Sequence, residues 1–435
     1  MTTDERIGVV ADDLTGAADT ALAFWEYGLD AAILLGPLAP RPAAPRTVSD
    51  ARVVAVDTAT RSLPPAAAGR AVAATVAALR RGGVTHFYKK IDSTLRGNCG
   101  AEIEAMLAAC GASVAVVCPA FPAQDRTVVG GRVRVHGQDL MAAPIAVDPG
   151  DGAASSRVAE ALGRQTRLPI AEARRPDELG QPVRRGVIVV DAATDADLAR
   201  WVDRVGLDSD VLWAGSAGLA GALARVTARR VGPARRVTVA RAASGVWRPV
   251  VVVVGSLHAV SRGQMAALLT LPGATLVSCH PADIVGGQVS IDEVVERCVG
   301  IVREGGHCVL STSASEETRR ELAELWRAAG HGPRWAGERI AAWLGAVTAA
   351  VLQAEMGLER VICTGGDTAR AALLHLGAPG LKVVGAVAPG VPIGRTTDSR
   401  LYVITKAGGF GGQDTLARAV TLLQGDMEER GDDRG

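Results

Sequence analysis

Ten consecutive residues, 89-KKIDSTLRGN-98, set two lysines, an aspartate, a serine, a threonine, an arginine and an asparagine side by side. The chain around them is 48% hydrophobic and only 21% charged, so this density stands out. If the strand that includes 86-HFYKK-90 continues through residue 92, Lys90 and Asp92 share one face, and Lys89 and Ile91 share the other. A lysine and a carboxylate on one face suit a ligand that carries both a carboxylate and hydroxyls. The same residues would serve a solvated loop with Asn98 as a helix cap, or a plain Lys89–Asp92 ion pair. The stretch 11-ADDLTGA-17 poses a similar choice. One Asp, Ser or Thr suffices to cap a helix, yet two aspartates, a threonine and a glycine occur here. Either the turn is simply capped, or one aspartate caps while the other meets a ligand hydroxyl or a metal. Adjacent residues at a strand end point to opposite sides, which predicts separate roles for Asp12 and Asp13. Asp57 and Arg61 in 56-VDTATRS-62 fit a plain surface pair as well as ligand binding, and Arg126 and Thr127 after the prolines of 117-VCPAFPAQDRTVVGG-131 fit loop shaping as well.

The second half carries different chemistry. Small residues dominate 255-GSLHAVSRGQ-264, 364-TGGDTA-369, 388-APGVPIG-394 and 405-TKAGGFGG-412. Glycines let a backbone approach phosphate closely and adopt positive φ. A turn such as 364–368, lying between a strand and a helix, points its amides at any bound phosphate. No GK[ST] or GxGxxG occurs, so neither a Walker A loop nor a dinucleotide fingerprint is present. Hydroxyl and carboxylate partners in one half and a phosphate cradle in the other predict phosphoryl transfer.

These residues need a scaffold that gathers strand ends. Runs such as IGVVA, VLWAG, VVVVG and RVICT each lead through a polar or glycine break into an Ala/Leu-rich helical stretch. Continuous apolar strands alternating with helices predict an α/β architecture with buried, mainly parallel sheets flanked by helices. At roughly 100–200 residues per domain, 435 residues predict two domains. The boundaries are expected at 1–228, a linker or crossing at 229–248, 249–427, and a frayed tail at 428–435. The arginines of 225–248 read as solvated surface or as an anion site. A net charge of +1 and 3% aromatic residues argue against nucleic-acid and membrane partners. The seven cysteines, Cys99, Cys110, Cys118, Cys279, Cys298, Cys308 and Cys363, form no CxxC pair and read as reduced thiols. With no signal-like N-terminus and no apolar run near the ~20 residues of a membrane span, a cytoplasmic location is expected.

The motifs ADDLTGAADTA, DTATR, KKIDSTLRGN, PAFP with RTVVGG, GS followed by Gln264, TGGDTA, APGVP and TKAGGFG occur in this order from Ala11 to Gly412. In this the chain resembles the four-carbon acid sugar kinase family, two-domain bacterial enzymes that phosphorylate tetronates. The resemblance implies an N-terminal acid-sugar domain, a C-terminal ATP domain and an active site in the interdomain cleft. It implies ATP with Mg²⁺, and threonate, erythronate or 3-oxo-tetronate as acceptor, converted to the 4-phosphate. Substrate contacts would fall on Asp12, Arg61, Lys90, Ile91, Asp92 and Ser93. ATP contacts would fall on Ser256, on Gly365, Gly366, Asp367 and Thr368, and on Gly408, Gly409, Phe410 and Gly411. Arg61 and Lys90 are expected to hold the substrate carboxylate, Asp12 and Ser93 its hydroxyls, and Arg96 the moving phosphoryl. Asp13 or Asp92 would accept the proton, and Asp367 either caps its helix or helps hold Mg²⁺. Metal ligands are not assigned, and a homodimer is compatible with the chain. The chain departs from the family at His258 and Ala407, where serines are usual, and at Asp125, which precedes Arg126 where a Gly-Arg pair is usual. The competing expectations are a non-catalytic acid-sugar sensor regulated by nucleotide, and an oxidoreductase, which the missing dinucleotide fingerprint disfavours.

Overall fold

The computed structural model describes residues 5–36, 51–143, 155–179, 185–232, 237–241, 247–256, 258–312, 316–355, 357–425 and 427–431. The chain divides into two compact units, Met1–Val147 with Asp151–Arg236, and Asp148–Gly150 with Val237–Gly435. Each is an α/β unit built on a mainly parallel sheet.

The first unit runs β1 (Ile7–Ala11), α1 (Leu14–Glu26), β2 (Ala31–Leu35), β3 (Val53–Asp57), α2 (Pro65–Arg81), β4 (His86–Lys90), α3 (Cys99–Cys110), β5 (Val114–Cys118), β6 (Arg126–Val129), β7 (Arg132–Val135), β8 (Gln138–Asp139), α4 (Val158–Gly163), β9 (Ile170–Ala173), β10 (Gly186–Val190), α5 (Asp195–Val205), β11 (Val211–Gly215) and α6 (Ala217–Val231). Its strands lie in the order β2-β3-β1-β4-β11-β5-β10-β9 and pair in parallel throughout. A small antiparallel sheet, β6-β7-β8, stands beside them. Helices on both faces explain why β1, β3 and β5 are buried along their whole length. The central β1 has β3 on one side and β4 on the other, so the chain switches direction across it. The crevice outside the carboxyl ends of such strands is where open α/β sheets hold ligands.

The second unit runs β12 (Val237–Arg241), β13 (Val251–Val254), α7 (Ala259–Leu268), β14 (Ala274–Cys279), α8 (Pro281–Val285), α9 (Ile291–Arg303), β15 (His307–Thr312), α10 (Glu316–Ala328), α11 (Pro333–Ala354), β16 (Arg360–Thr364), α12 (Gly366–His375), β17 (Gly380–Ala388), β18 (Val391–Thr396), β19 (Tyr402–Lys406), α13 (Thr415–Leu423) and β20 (Met427–Gly431). Its strand order is β14-β15-β13-β16-β19-β18-β17, parallel from β14 to β19, with β18 antiparallel to both neighbours. The four valines of β13 are at most 2% exposed. Burying each contributes about 1.5–3 kcal/mol over leaving it in water. The stretch 229–248, read as a linker, holds the end of α6 and β12. β12 pairs antiparallel with β20, so residues 428–431 of the tail expected to fray form a strand, and 432–435 lie outside the described residues. That pairing runs through backbone groups, which a polar sequence such as MEERG supplies as well as an apolar one. Among the described residues, no helix is long and apolar enough to cross a membrane.

One buried ion pair ties the first unit's switch point together. Lys89, fully buried, reaches Glu102 of α3 at 2.7 Å and donates to the carbonyls of Val10 at 3.1 Å and Lys90 at 2.8 Å. Strand alternation thus sends Lys89 toward α3 and Lys90 toward α1, the opposed faces the period of two requires. Lys89 pairs with Glu102 rather than Asp92, because Asp92 lies past the strand end on the other side. Removing one member of a buried pair strands the other's charge. Lys89→Met or Glu102→Leu alone is expected to lower stability by roughly 3–5 kcal/mol. The double variant should lose markedly less, as read by urea unfolding.

Candidate active site

Three loops leave the carboxyl ends of β1, β3 and β4, and their charged side chains interlock. Asp13 caps α1: its Oδ1 accepts from the Gly16 amide at 2.8 Å and its Oδ2 from the Thr15 hydroxyl at 2.6 Å. Arg61, from the loop after β3, donates Nε to Asp12 Oδ2 at 2.7 Å and Nη2 to Asp12 Oδ1 at 3.1 Å. Its Nη1 donates to Asp13 Oδ2 at 2.8 Å, and Nη2 lies 3.9 Å from Asp92 Oδ1. Asp12 and Asp13 therefore differ in role, as adjacent strand-end residues should: only Asp13 is a cap, yet Arg61 bridges both. Arg96 holds Asp92 through both oxygens, Nε to Oδ2 at 3.0 Å and Nη2 to Oδ1 at 2.8 Å. Thr94 donates its amide (3.0 Å) and its hydroxyl to Asp92 Oδ2.

Burial works against the charged form of Asp92, but Arg96, Arg61 and Lys90 outweigh it and hold this carboxyl well below its ordinary 3.8. The same contest, with Arg61 and Lys90 prevailing over burial, lowers Asp13. Both carboxylates are thus held toward the charged form, and in this geometry they bind Arg61 and Arg96. The arginine keeps spare capacity: of five guanidinium N–H groups, Arg61 uses three in these hydrogen bonds. Lys90, 5% exposed, donates to the Ile91 carbonyl at 2.8 Å, which leaves two of its three N–H groups. Ser93 Oγ accepts from Arg126 Nη1 at 2.7 Å, so its own proton can go to a ligand oxygen.

The loops carrying these groups are conformationally special. Ala59 and Leu95, neither a glycine, take φ of 51° and 60°. Such positions are sparsely populated and cost about 1–3 kcal/mol each unless the surroundings hold them. Gly97 sits at φ +82°, where a Cβ would lie 3.1 Å from Asp12 Oδ2 and 3.2 Å from Arg61 Cγ. Asn98 precedes α3 but does not cap it. Its amide instead donates to the carbonyls of Thr60 at 3.0 Å and Leu63 at 2.8 Å, binding the β4 loop to the β3 loop. Asp125 is exposed and pairs with His136 at 3.3 Å. Ile91 is buried at the sheet's end, its amide donating to the Gly215 carbonyl at 2.9 Å, so its contribution to a ligand would come through the backbone.

In the second unit the adjacent strands β13, β16 and β19 end together, and the loops after them pack into one cradle. A Cβ at Gly255 would overlap Thr368 Oγ1, and one at Gly408 would overlap Ser256 Oγ. Gly365 is the N-cap of α12 at φ +93°, with no side chain capping the helix. Gly365 therefore holds the N-cap position, and Asp367 lies exposed in the first turn of α12. His258, standing where serine is usual, caps α7: its Nδ1 accepts from the Val260 amide at 3.2 Å. A Cβ at Gly409 would lie 3.2 Å from the His258 ring, so glycine there lets loop and ring touch.

Two residues that sequence did not single out shape this cradle and the first site. Lys406, 1% exposed, donates inward to the carbonyls of Ala407 at 2.8 Å, Gly408 at 3.2 Å and Phe410 at 3.1 Å. Burial pulls its pKa down to about 7. The departure at Ala407 leaves this support intact, because Lys406 uses the backbone oxygen. Gln264 completes the loop, donating to the carbonyls of Phe410, Gly411 and Gly412 at 3.0, 3.2 and 2.8 Å. The other missed residue is Asp19, on α1 and 6% exposed. Its only signal was a carboxylate inside the small, apolar run GAADTALA. Among the described residues, no group of three or more His, Cys, Asp or Glu side chains gathers to hold a metal ion.

The depressed pKa of Asp92 carries a stability signature. Its contribution is present above the unfolded value of 3.8 and is lost as pH falls toward the lower folded value. Asp92→Asn should flatten the acid side of the stability curve, below about pH 4, in urea titrations at stepped pH.

Comparison with known proteins matches this division of chemistry. A family model described as the sugar-binding N-terminal domain matches residues 7–223, and one described as the nucleotide-binding C-terminal domain matches 251–416. A D-threonate kinase of Bordetella bronchiseptica is 36% identical over 428 residues, 96% of this chain and 97% of the relative. A 3-oxo-tetronate kinase of Methylobacterium radiotolerans is 31% identical over 442 residues, 96% of this chain and 99% of the relative. A crystal structure from Salmonella typhimurium LT2 shares the fold with a TM-score of 0.76 at 23% identity, covering 95% of this chain and 98% of that one. With identity above 30% along nearly its whole length, the chain belongs to the four-carbon acid sugar kinase family and is a kinase.

Proposed function

We propose that the protein transfers the γ-phosphoryl group of ATP to the 4-hydroxyl of a four-carbon acid sugar, giving the 4-phosphate and ADP. The observation that carries this reading is the grouping of Arg61, Lys90, Asp12 and Ser93 at the first unit's switch point, with cationic donors to spare. A short acid with several hydroxyls uses such a set fully. The carboxylate of threonate, erythronate or 3-oxo-tetronate would take the remaining N–H groups of Arg61 and Lys90. Its hydroxyls would meet Asp12 and Ser93. The names of the relatives point to the same substrate class.

The nucleotide would lie on the second unit, its phosphates against the start of α12 at Gly365–Thr368, where the Gly365 amide is itself held by the Lys406 carbonyl at 2.9 Å, and against Ser256 and the loop Gly408–Gly411. A Mg²⁺ held mostly by phosphates and water would need few protein ligands, and Asp367, exposed in the first turn of α12, would supply one carboxylate. The ion would neutralise charge that develops on the phosphates during transfer. Arg96, partly exposed while paired with Asp92, is the cation of the first unit suited to the moving phosphoryl. In-line transfer needs the attacking oxygen within about 3–3.5 Å of phosphorus. The reading therefore includes a cleft in which the two ligands meet during turnover.

The decisive experiment is coupled ADP release screened over D- and L-threonate, D- and L-erythronate and both 3-oxo-tetronates. Release of ADP with one of them separates a kinase from a sensor that only binds, and no release with any acid ends the proposal. Once the acid is known, Asp92→Asn should lower kcat at least 100-fold by loosening Arg96 and Arg61. Gly366→Val should chiefly raise the KM for ATP, since it crowds the helix start. Normal kinetics in both would refute the site.

A further inference from the structure

The hydroxyl that attacks phosphorus must lose its proton, and the three carboxylates nearest the cationic loops are ill suited to take it. Asp12 is bound at both oxygens by Arg61, Asp13 by Gly16, Thr15 and Arg61, and Asp92 by Arg96 and Thr94. A fourth carboxylate stands in a different state. Asp19 lies on α1, two helical turns inward from the cap, and is 6% exposed among Gly16, Ala17, Ala18, Ala21, Leu22 and Ala23. Among the described residues, no hydrogen bond or ion pair closes on its carboxylate.

Its direction follows from helix geometry. Side chains lean toward the helix N-terminus, so a residue covers the turn that precedes it. For Asp19 that turn holds Gly16, whose Cβ would lie 3.1 Å from Lys90 Nζ. The carboxylate therefore aims toward the side of the site where Lys90 stands. The charged groups that act on it are Lys90 from β4, Arg126 from β6, and Asp13 and Glu26 on its own helix. Tyr88 of β4 is also within its electrostatic reach, but the Tyr88 hydroxyl is committed to the Ser216 carbonyl at 2.5 Å. Burial lifts the Asp19 carboxyl from 3.8 to about 7, against the pull of Lys90 and Arg126. A buried carboxylate with that proton affinity, beside a lysine proposed to hold substrate, is matched to proton transfer near neutral pH.

We propose that Asp19 is the proton acceptor of the transfer. The proposal rests on the kinase reading above and assigns a residue that it left open. As the acceptor hydroxyl oxygen bonds to the γ-phosphorus, its proton passes to the Asp19 carboxylate. The bond from the γ-phosphorus to the β–γ bridging oxygen breaks, and ADP leaves with the electron pair. The carboxylic acid then returns its proton to water when the products depart. Asp13 and Asp92 stay ionised throughout and hold the arginines.

The test uses the full chain with the acid and ATP identified by the ADP-release screen. Asp19→Asn should lower kcat by about 10²–10³-fold, while the Kd for the acid, measured calorimetrically without nucleotide, changes less than about threefold. In the wild type, kcat/KM should fall as pH drops below about 7, and the Asn variant should lose that acidic limb. A purely structural role would leave the limb in place. Folding gives a second readout. Because the folded carboxyl binds its proton more tightly than the unfolded one, wild-type stability should decline as pH rises from 3.8 to about 7. The Asn variant should lack this decline. Should Asp19→Asn fail to fold, Asp19→Ser supplies the same readouts. An Asn variant that keeps kcat within threefold and retains the limb overturns the assignment while the kinase reading stands. A wild type that releases no ADP with any acid overturns both.

Discussion

Arg61 sits among three carboxylates, two of which it binds directly, and the first unit's site depends on that arrangement. Buried carboxylates need partners, because an isolated charge out of water is far less stable than one with its hydrogen bonds made. Here the partner arrives from a loop 49 residues away from Asp12. Once Arg61 is set, the ends of β1 and β3 cannot separate without stranding charge. Arg96 imposes the same condition on the β4 loop through Asp92, and Asn98 stitches that loop to the carbonyls beside Arg61. The positive φ at Ala59, Leu95 and Gly97 is the backbone's share in bringing these groups together. The result is a densely cross-linked polar cluster in which N–H groups remain on Arg61 and Lys90.

The second unit solves the opposite problem with sterics and backbone rather than with charge. Its cradle is formed where side chains are missing: a methyl group at Gly255 or Gly408 would occupy the space of Thr368 Oγ1 or Ser256 Oγ. Loops without side chains need support from elsewhere, and Lys406 and Gln264 supply it from beneath by donating to successive carbonyls of the 407–412 segment. The same carbonyl network reaches the α12 start, where the Gly365 amide donates to the Lys406 carbonyl at 2.9 Å. The histidine at 258 keeps this arrangement because an imidazole nitrogen accepts the α7 amide as a hydroxyl would.

Much of this was legible in the chain. Alternating apolar runs and Ala-rich stretches named the α/β class, and the polar clusters after β1, β3 and β4 and the glycine clusters after β16 and β19 fall in the loops at the carboxyl ends of those strands. Alternatives stayed open where a residue had more than one local use. Asn98 has the composition and position of a cap, yet spends its amide on another loop. Asp367 looked like a cap or a ligand, and Gly365 takes the cap position. For Lys89, a pair with nearby Asp92 was one alternative, while its actual partner Glu102 lies thirteen residues on, one turn into a helix whose direction only the fold specifies.

The sequence by itself determined the inventory: which residues could be charged, which positions lacked a side chain, and the periods that make strands and helices. Those properties are local, carried by each residue and its near neighbours. Tertiary structure alone decided which charges meet. Asp12, Asp13, Asp19 and Asp92 are the same chemical group in the chain, and what separates them is the distance to arginines many residues away and the loss of water around each. Electrostatic free energy depends on those distances and on local burial, and neither is written in the order of the residues. Two of the four are driven toward the charged form and one away from it by neighbours that the folded sheet brings together.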